Sequence, residues 1–336
     1  MDILILGGTR FVGRHLAEAA LARGHRVTLF NRGTSDPHPA IDVESLRGDR
    51  DGGLAALRGR GWDAVIDTSG YVPRVVRASA ELLAPRVGHY TFISTVSVYA
   101  PVTPGPLLDE QAALQTLEDE AREDHEDPKA YGGLKVLCER AVEDVMPGRV
   151  LIPRLSLVVG PLDPTDRFTY WPVRVARGGA VLAFDRPGRP IVPFIDARDA
   201  ARWIVAGLEA GRTGTFNVGG RTGTTIGEVL ETCRIVGGAP DASFVWVSEA
   251  FLVENGVGPW LELPLWVPHG RDSFIGLDSS KAVAAGLRPR PLAETVRDLL
   301  AWDRRRPEPV MRRAGVSADR EAELLERWQA AQSASR

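Results

Sequence analysis

Over the first half of the chain, short and almost wholly apolar runs alternate with longer stretches whose apolar positions recur every three or four residues. "DILIL" (2–6), "RVTLF" (26–30), "DAVID" (63–67), "HYTFIS" (89–94) and "RVLIPRL" (149–155) read as buried strands. The intervening segments 12–23, 73–85 and 129–145 read as helices, and Gly24 stands where a glycine closes the first of them. Such alternation predicts βαβ units around a parallel sheet, with right-handed crossovers placing helices on both faces. The second half is less regular and rich in proline and glycine. There "IVPFIDARDAARWIVAGLEAG" (191–211) reads as strand, turn and helix. "TTIGEVLETCRIVGG" (224–238) reads as a helix capped by Thr224 or Thr225. The chain ends in an arginine-rich, solvated linker and an amphipathic helix, and no internal repeat is visible.

Composition changes this picture little. Of 336 residues, 44% are hydrophobic and 25% charged, the balance of a globular protein. A formal net charge of −3 favours neither nucleic acid nor an anionic membrane as partner. No apolar run approaches a membrane span, and no leader-like pattern opens the chain, so a cytoplasmic protein is expected. Cys138 and Cys233 lie far apart in helical contexts, so neither a disulfide nor a metal site is expected.

The chemistry begins at "ILILGGTRFVGRHL", a strand, a glycine-rich bend and a helix start. Backbone N–H groups at a helix N-terminus, backed by the helix dipole, attract a pyrophosphate, and glycines allow it close. Gly7, Gly8, Thr9, Arg10, Phe11, Val12 and Gly13 are therefore the candidate cradle. The second strand ends on Asn31 and Arg32, without the acid that would accept from ribose hydroxyls. A cation in that place suits a 2′-phosphate, so Arg10 and Arg32 are read as its clamp and NADP(H) is expected rather than NAD(H). Asp49 and Arg50 follow the presumed third strand at the adenine end, and the "DTSG" bend adds Thr68, Ser69 and Gly70. "YGGLK" sets Tyr131 and Lys135 four residues apart, on one helical face. An ammonium beside a phenol stabilises the phenolate, so Tyr131 is the candidate general acid–base, and Lys135 also suits the nicotinamide ribose. In "FISTVSVYA", Thr95, with Ser97 as second choice, is the hydroxyl that would bind the substrate oxygen. Trp171, with Phe168, Tyr170 and Trp246, reads either as the wall of an apolar substrate pocket or as core.

Together "GGTRFVG", "GD" (48–49), "DTSG", "STVSVYA", "YGGLK", "GP" (160–161), "FIDARDAA" (194–201) and "FNVGG" (216–220) resemble the extended short-chain dehydrogenase/reductase family. That family includes sugar-nucleotide epimerases and dehydratases. The resemblance implies a Rossmann-type doubly wound α/β fold with a smaller, mixed C-terminal substrate-binding domain. The expected division is 1–165 with 191–220 for the nucleotide, 166–190 with 221–303 for the substrate, and an extension over 304–336. It also implies a catalytic triad of Thr95, Tyr131 and Lys135, a small-molecule substrate and a homodimer built around the helix that carries Tyr131. The expected activity is that of a carbonyl reductase or epimerase on a secondary alcohol or ketone. The alternatives are a sugar-nucleotide epimerase with tightly bound NAD, or a nucleotide-binding, RNA-associated protein on the same fold. Arg10 in the glycine turn, with "GRDSFIGLDSSKA" (270–282), resembles an atypical subgroup that includes chloroplast stem-loop RNA-binding proteins. Leu157 stands where sugar-nucleotide enzymes place an asparagine for the diphosphate. Val96 and Ser97 stand where dehydratases carry an acidic pair, so dehydration is not expected.

Overall fold

A computed structural model describes residues 1–34, 42–101, 107–120, 122–270, 276–307 and 310–334. The first part of the chain runs β1 (Asp2–Leu6), α1 (Phe11–Ala22), β2 (Arg26–Asn31), β3 (Glu44–Arg47), β4 (Ala64–Asp67) and α2 (Pro73–Leu83). It continues through β5 (His89–Phe92), β6 (Ser94–Thr95), α3 (Pro128–Val145), β7 (Val150–Leu155) and β8 (Leu157–Val159). Next come α4 (Tyr170–Val175), β9 (Ala180–Phe184), β10 (Phe194–Asp196), α5 (Ala197–Glu209), β11 (Gly214–Val218) and α6 (Ile226–Gly237). The chain closes with β12 (Ser243–Val247), α7 (Glu249–Glu254), α8 (Ser280–Ala284), α9 (Leu292–Asp303) and α10 (Ala318–Ala334).

The main sheet is parallel, in the order β11-β7-β5-β4-β1-β2-β3, with β6 continuing beside β7. The order reverses between β1 and β4, and in doubly wound sheets a ligand crevice opens beyond the strand ends at such a reversal. The pleat explains the all-apolar strand β1. Ile3 and Ile5 join a core with Leu16, Ala17 and Ala20 of α1 and Trp203 and Ile204 of α5. Leu4 and Leu6 join the opposite core with Val76 and Ala80 of α2 and Cys138 and Val142 of α3. Both faces are covered, so neither alternate position is polar.

A further core gathers α4, α6, α9 and the parallel pair β9 and β12, with Phe168, Trp171, Phe184 and Trp266 buried at its centre. The α6 helix begins as expected, with Thr225 and Glu228 forming a reciprocal capping box. The arginine-rich linker departs from expectation, since it is not a solvated tail. Arg306 donates to the buried Asp166 at 2.5 Å, and Arg312 grips Asp303 through two bonds of 2.9 and 2.7 Å. Behind it α10 docks on the same core through the buried Leu324, and its Glu321, also buried, accepts from Leu182 N–H at 3.0 Å. Apolar spacing alone cannot reveal this, because the linker is held by carboxylates far away in sequence. Of the resemblance at 270–282, residues 271–275 lie outside the described residues.

Candidate active site

Strands β1, β2, β4, β5 and β6 all end toward the same edge, and the predicted residues gather there. Gly7 and Gly8 leave β1 at φ 100° and 89°, in the left-handed region that favours glycine. A Cβ on Gly13 would lie 2.7 Å from the Gly8 Cα, so the helix start packs directly on the bend. Arg10 at the start of α1 offers no side-chain capping bond, and the first turn holds no acid. The leading N–H groups are thus left for an outside acceptor. Thr68 Oγ1 and Ser69 Oγ donate to the Leu6 carbonyl at 2.8 and 3.3 Å and fasten the β4 bend against the glycine turn. These residues fit a dinucleotide: the backbone supplies the anion site, and a side chain at Gly7, Gly8 or Gly13 would strike Thr68, Leu29 or Gly8 and push the bend out of shape.

At the end of β2, Arg10 and Arg32 are exposed and have no hydrogen-bond or ion-pair partner among the described residues. Asn31 is not free. Its Oδ1 accepts from Gly33 N–H at 2.9 Å and from Arg47 Nη1 at 2.5 Å. Sequence reading missed Arg47, which brings a third guanidinium to this corner from β3. Asp49 is exposed, with one carboxylate oxygen accepting from Asp51 N–H at 2.9 Å. Arg50 corrects expectation. Its fork is closed on both oxygens of the buried Asp67 at 2.5 Å each, and its Nε donates to Ser79 Oγ at 2.9 Å. It is a structural ion pair, completed by the Tyr90 hydroxyl on Asp67 at 2.9 Å, and not a free cofactor ligand.

Asp127 caps α3 by accepting from Lys129 N–H, and Pro128 opens its first turn, which fixes where the helix starts. Tyr131 therefore stands one turn in. The two glycines of "YGGLK" have a packing reason. A Cβ on Gly132 would sit 2.1 Å from the Ser97 carbonyl oxygen, and one on Gly133 would strike Leu117. The helix can thus lie against the loop after β6, the loop that follows Thr95. Thr95 Oγ1 also accepts from Ser97 N–H at 3.1 Å. Lys135 is 3% exposed and donates to the carbonyls of Gly70 at 2.8 Å and Ile93 at 2.7 Å. Ile93 is where the expected strand 89–94 breaks into β5 and β6.

Burial pushes the Tyr131 phenol up to about 12, with Thr95 and Arg167 pulling partly against it. Burial also brings the Lys135 ammonium down to about 8. The phenol is therefore protonated at neutral pH, contrary to the simple expectation of a lysine-stabilised phenolate. Tyr71, at the mouth, stacks on His125 with ring centroids 5.1 Å apart. Its ring centroid is 5.7 Å from Lys135 Nζ, and its phenol couples electrically to Tyr131.

Beneath Thr95 lies a buried network. Arg154 binds both oxygens of Glu139 at 3.1 and 2.7 Å and donates to Tyr99 Oη at 3.1 Å. Tyr99 donates on to Asn217 at 2.6 Å, and Ser94 bonds Glu139. The sequence signal was a charge inside an apolar strand run, Arg154, and an acid one turn beyond Lys135. Of the two readings of Trp171 the core one fits: it is 0% exposed, and its indole N–H donates to the Pro264 carbonyl at 3.0 Å. Phe168 and Tyr170 are buried there with it.

The sequence model of the "NAD dependent epimerase/dehydratase family" matches residues 3–81 and 63–219. The chain belongs to this family. UDP-N-acetylglucosamine 4-epimerase from Bacillus cereus superposes with a TM-score of 0.68 at 17% identity, covering 92% of this chain and 99% of that one. UDP-glucuronic acid 4-epimerase from the same organism, solved with NAD, superposes at 0.64 and 19% identity over 90% and 99%. At such identities the likeness establishes the fold. The chloroplast stem-loop binding protein of 41 kDa b from Arabidopsis thaliana is 27% identical over 263 residues, 72% of this chain. The match spans 65% of that relative's length, less than two thirds.

Proposed function

We propose that this family member transfers hydride between NADP(H) and a secondary alcohol or its ketone in a sugar-like or specialised metabolite, with carbonyl reduction as its favoured direction. The observation that carries the reading is Tyr131 placed one helical turn before the buried Lys135, whose ammonium is fixed on the carbonyls of Gly70 and Ile93 beside the glycine cradle and the Thr95 strand end. When bound, the nicotinamide supplies or accepts the hydride. Thr95, with Ser97 behind it, holds the substrate oxygen, and Tyr131 donates the proton that oxygen needs as it becomes an alcohol. With its phenol pushed up to about 12 by burial, Tyr131 keeps its proton at neutral pH and so has one to give. Lys135 offers its remaining N–H to the nicotinamide ribose. Arg10 and Arg32, with Arg47 beside them, support the phosphorylated cofactor, because an anion at the adenosine ribose would meet cations and no acid.

Replacing Tyr131 by Phe should lower turnover by about two to four orders of magnitude with nucleotide affinity intact. Arg32→Ala should lower the ratio of NADPH to NADH affinity. Unchanged turnover in the first variant, or an unchanged ratio in the second, would contradict the respective role.

The name of the chloroplast relative favours a second reading, binding of structured RNA. A net charge of −3 gives little attraction for a phosphate backbone. Salt-dependent retention of RNA in a filter assay would support this reading.

A further inference from the structure

The loop that follows β8 is folded more tightly than a connection requires. Leu162 and Asp166 hold left-handed backbone angles, φ 71° and 57°. Asp163, 1% exposed, turns the loop on itself by accepting from Thr165 N–H at 2.9 Å and from the Thr165 hydroxyl at 2.7 Å. Asp166, fully buried, is seized from behind by Arg306 at 2.5 Å and by the backbone N–H of Arg313 at 3.0 Å. The C-terminal linker thus fastens this loop in place.

What the loop presents is Arg167. Its Nε donates to Thr165 Oγ1 at 3.2 Å, and its guanidinium carbon lies 6.0 Å from the centroid of the Trp260 ring. Trp260 itself sits at φ 67°, so both the arginine and its aromatic shelf stand on constrained backbone. Arg167 is half-buried and follows two acids in sequence, Asp163 and Asp166, yet it forms an ion pair with neither. Asp166 is taken by Arg306, and burial pushes the Asp163 carboxyl above the usual carboxylate range. Nη1 and Nη2, the edge that grips two oxygens at once, have no hydrogen-bond partner among the described residues. Arg167 also stands close enough to Tyr131 for its charge to favour the phenolate.

The geometry points to Arg167 as the receptor for an oxyanion of the substrate, a carboxylate or phosphate borne close to the carbon whose oxygen faces Tyr131. A planar fork with its Nε already anchored and its face on an indole loses little freedom on closing over two oxygens. Partial burial strengthens that bond relative to one in open water. This inference rests on Tyr131 being at the reacting centre.

The test uses the full chain saturated with NADP+ at fixed ionic strength, with glucuronate, glucose 6-phosphate and glucose as probes and calorimetry as readout. Wild type should bind one of the two anions at least about tenfold more tightly than glucose, and which one it prefers identifies a carboxylate or a phosphate. Arg167→Ala should erase that preference, Arg167→Lys should keep part of it, and nucleotide affinity should stay unchanged in both. No preference in wild type, or a preference that survives Arg167→Ala, overturns the inference. Tyr131→Phe separates the two readings. It should keep the anion preference, so unaltered turnover in that variant would overturn the proposed chemistry alone.

Discussion

Replacing Lys135 by Met removes an ammonium while nearly conserving the buried volume, and its effects on function and stability should diverge. Moving the ammonium from its ordinary 10.5 to about 8 corresponds to about 3 kcal/mol of differential stability. The sign is fixed by proton uptake. Between pH 8 and 10.5 the unfolded chain binds the proton that the folded chain has shed, so stability from this group rises with pH and is lowest below pH 8. Methionine removes that penalty but leaves the carbonyls of Gly70 and Ile93 without their donor, at about 1–3 kcal/mol each. The opposing effects leave the variant within about 3 kcal/mol of wild type at pH 7.5. Turnover should nevertheless collapse by at least about a hundredfold, because the charge beside Tyr131 is gone.

Urea unfolding of both proteins at pH 7.5 and 9.5 measures the linkage, and the comparison largely cancels the titration of the buried tyrosines and cysteines. The wild type should gain about 2 kcal/mol relative to the variant between the two pH values. An equal response of the two proteins to pH would refute the buried, depressed ammonium. A variant that kept its turnover would refute the role of the charge.

Gly13→Ala should weaken nucleotide binding by at least about tenfold in a fluorescence titration while the protein stays folded, because its Cβ would lie 2.7 Å from the Gly8 Cα at the cradle. Unchanged affinity would move the nucleotide elsewhere. Glu139→Ala should cost about 3–5 kcal/mol in chemical denaturation, since it strands the Arg154 guanidinium in the core. A loss below about 1 kcal/mol would mean that the pair is not buried as described.

β1, β2, β4, β5 and β7 were legible because both faces of the sheet are covered there, so each announces itself as an apolar run, whereas β3, with Glu44 and Arg47 exposed at the sheet edge, does not. β1, α1 and the bend between them need only local rules. "YGGLK" was legible as chemistry, but its glycines were not. Their reason is the Ser97 carbonyl and Leu117, which only the fold brings to the helix. Arg50 was misread for a related cause. An arginine just after the third strand stands at the adenine end of such a site, and nothing local says that Asp67 folds onto it. The arginine linker repeats the lesson, since its partner Asp166 lies 140 residues away. Trp171 shows the limit for aromatics, because pocket wall and core share one composition and burial alone separates them.

The most direct test of the account is to denature the freshly purified protein, identify any released nucleotide by absorbance and mass, and titrate the emptied protein with NADPH and NADH. The account predicts NADP(H) in the released fraction, or an empty protein that binds NADPH at least about tenfold more tightly than NADH. A protein that carries neither nucleotide and binds neither, while retaining RNA in a salt-dependent way, would contradict it.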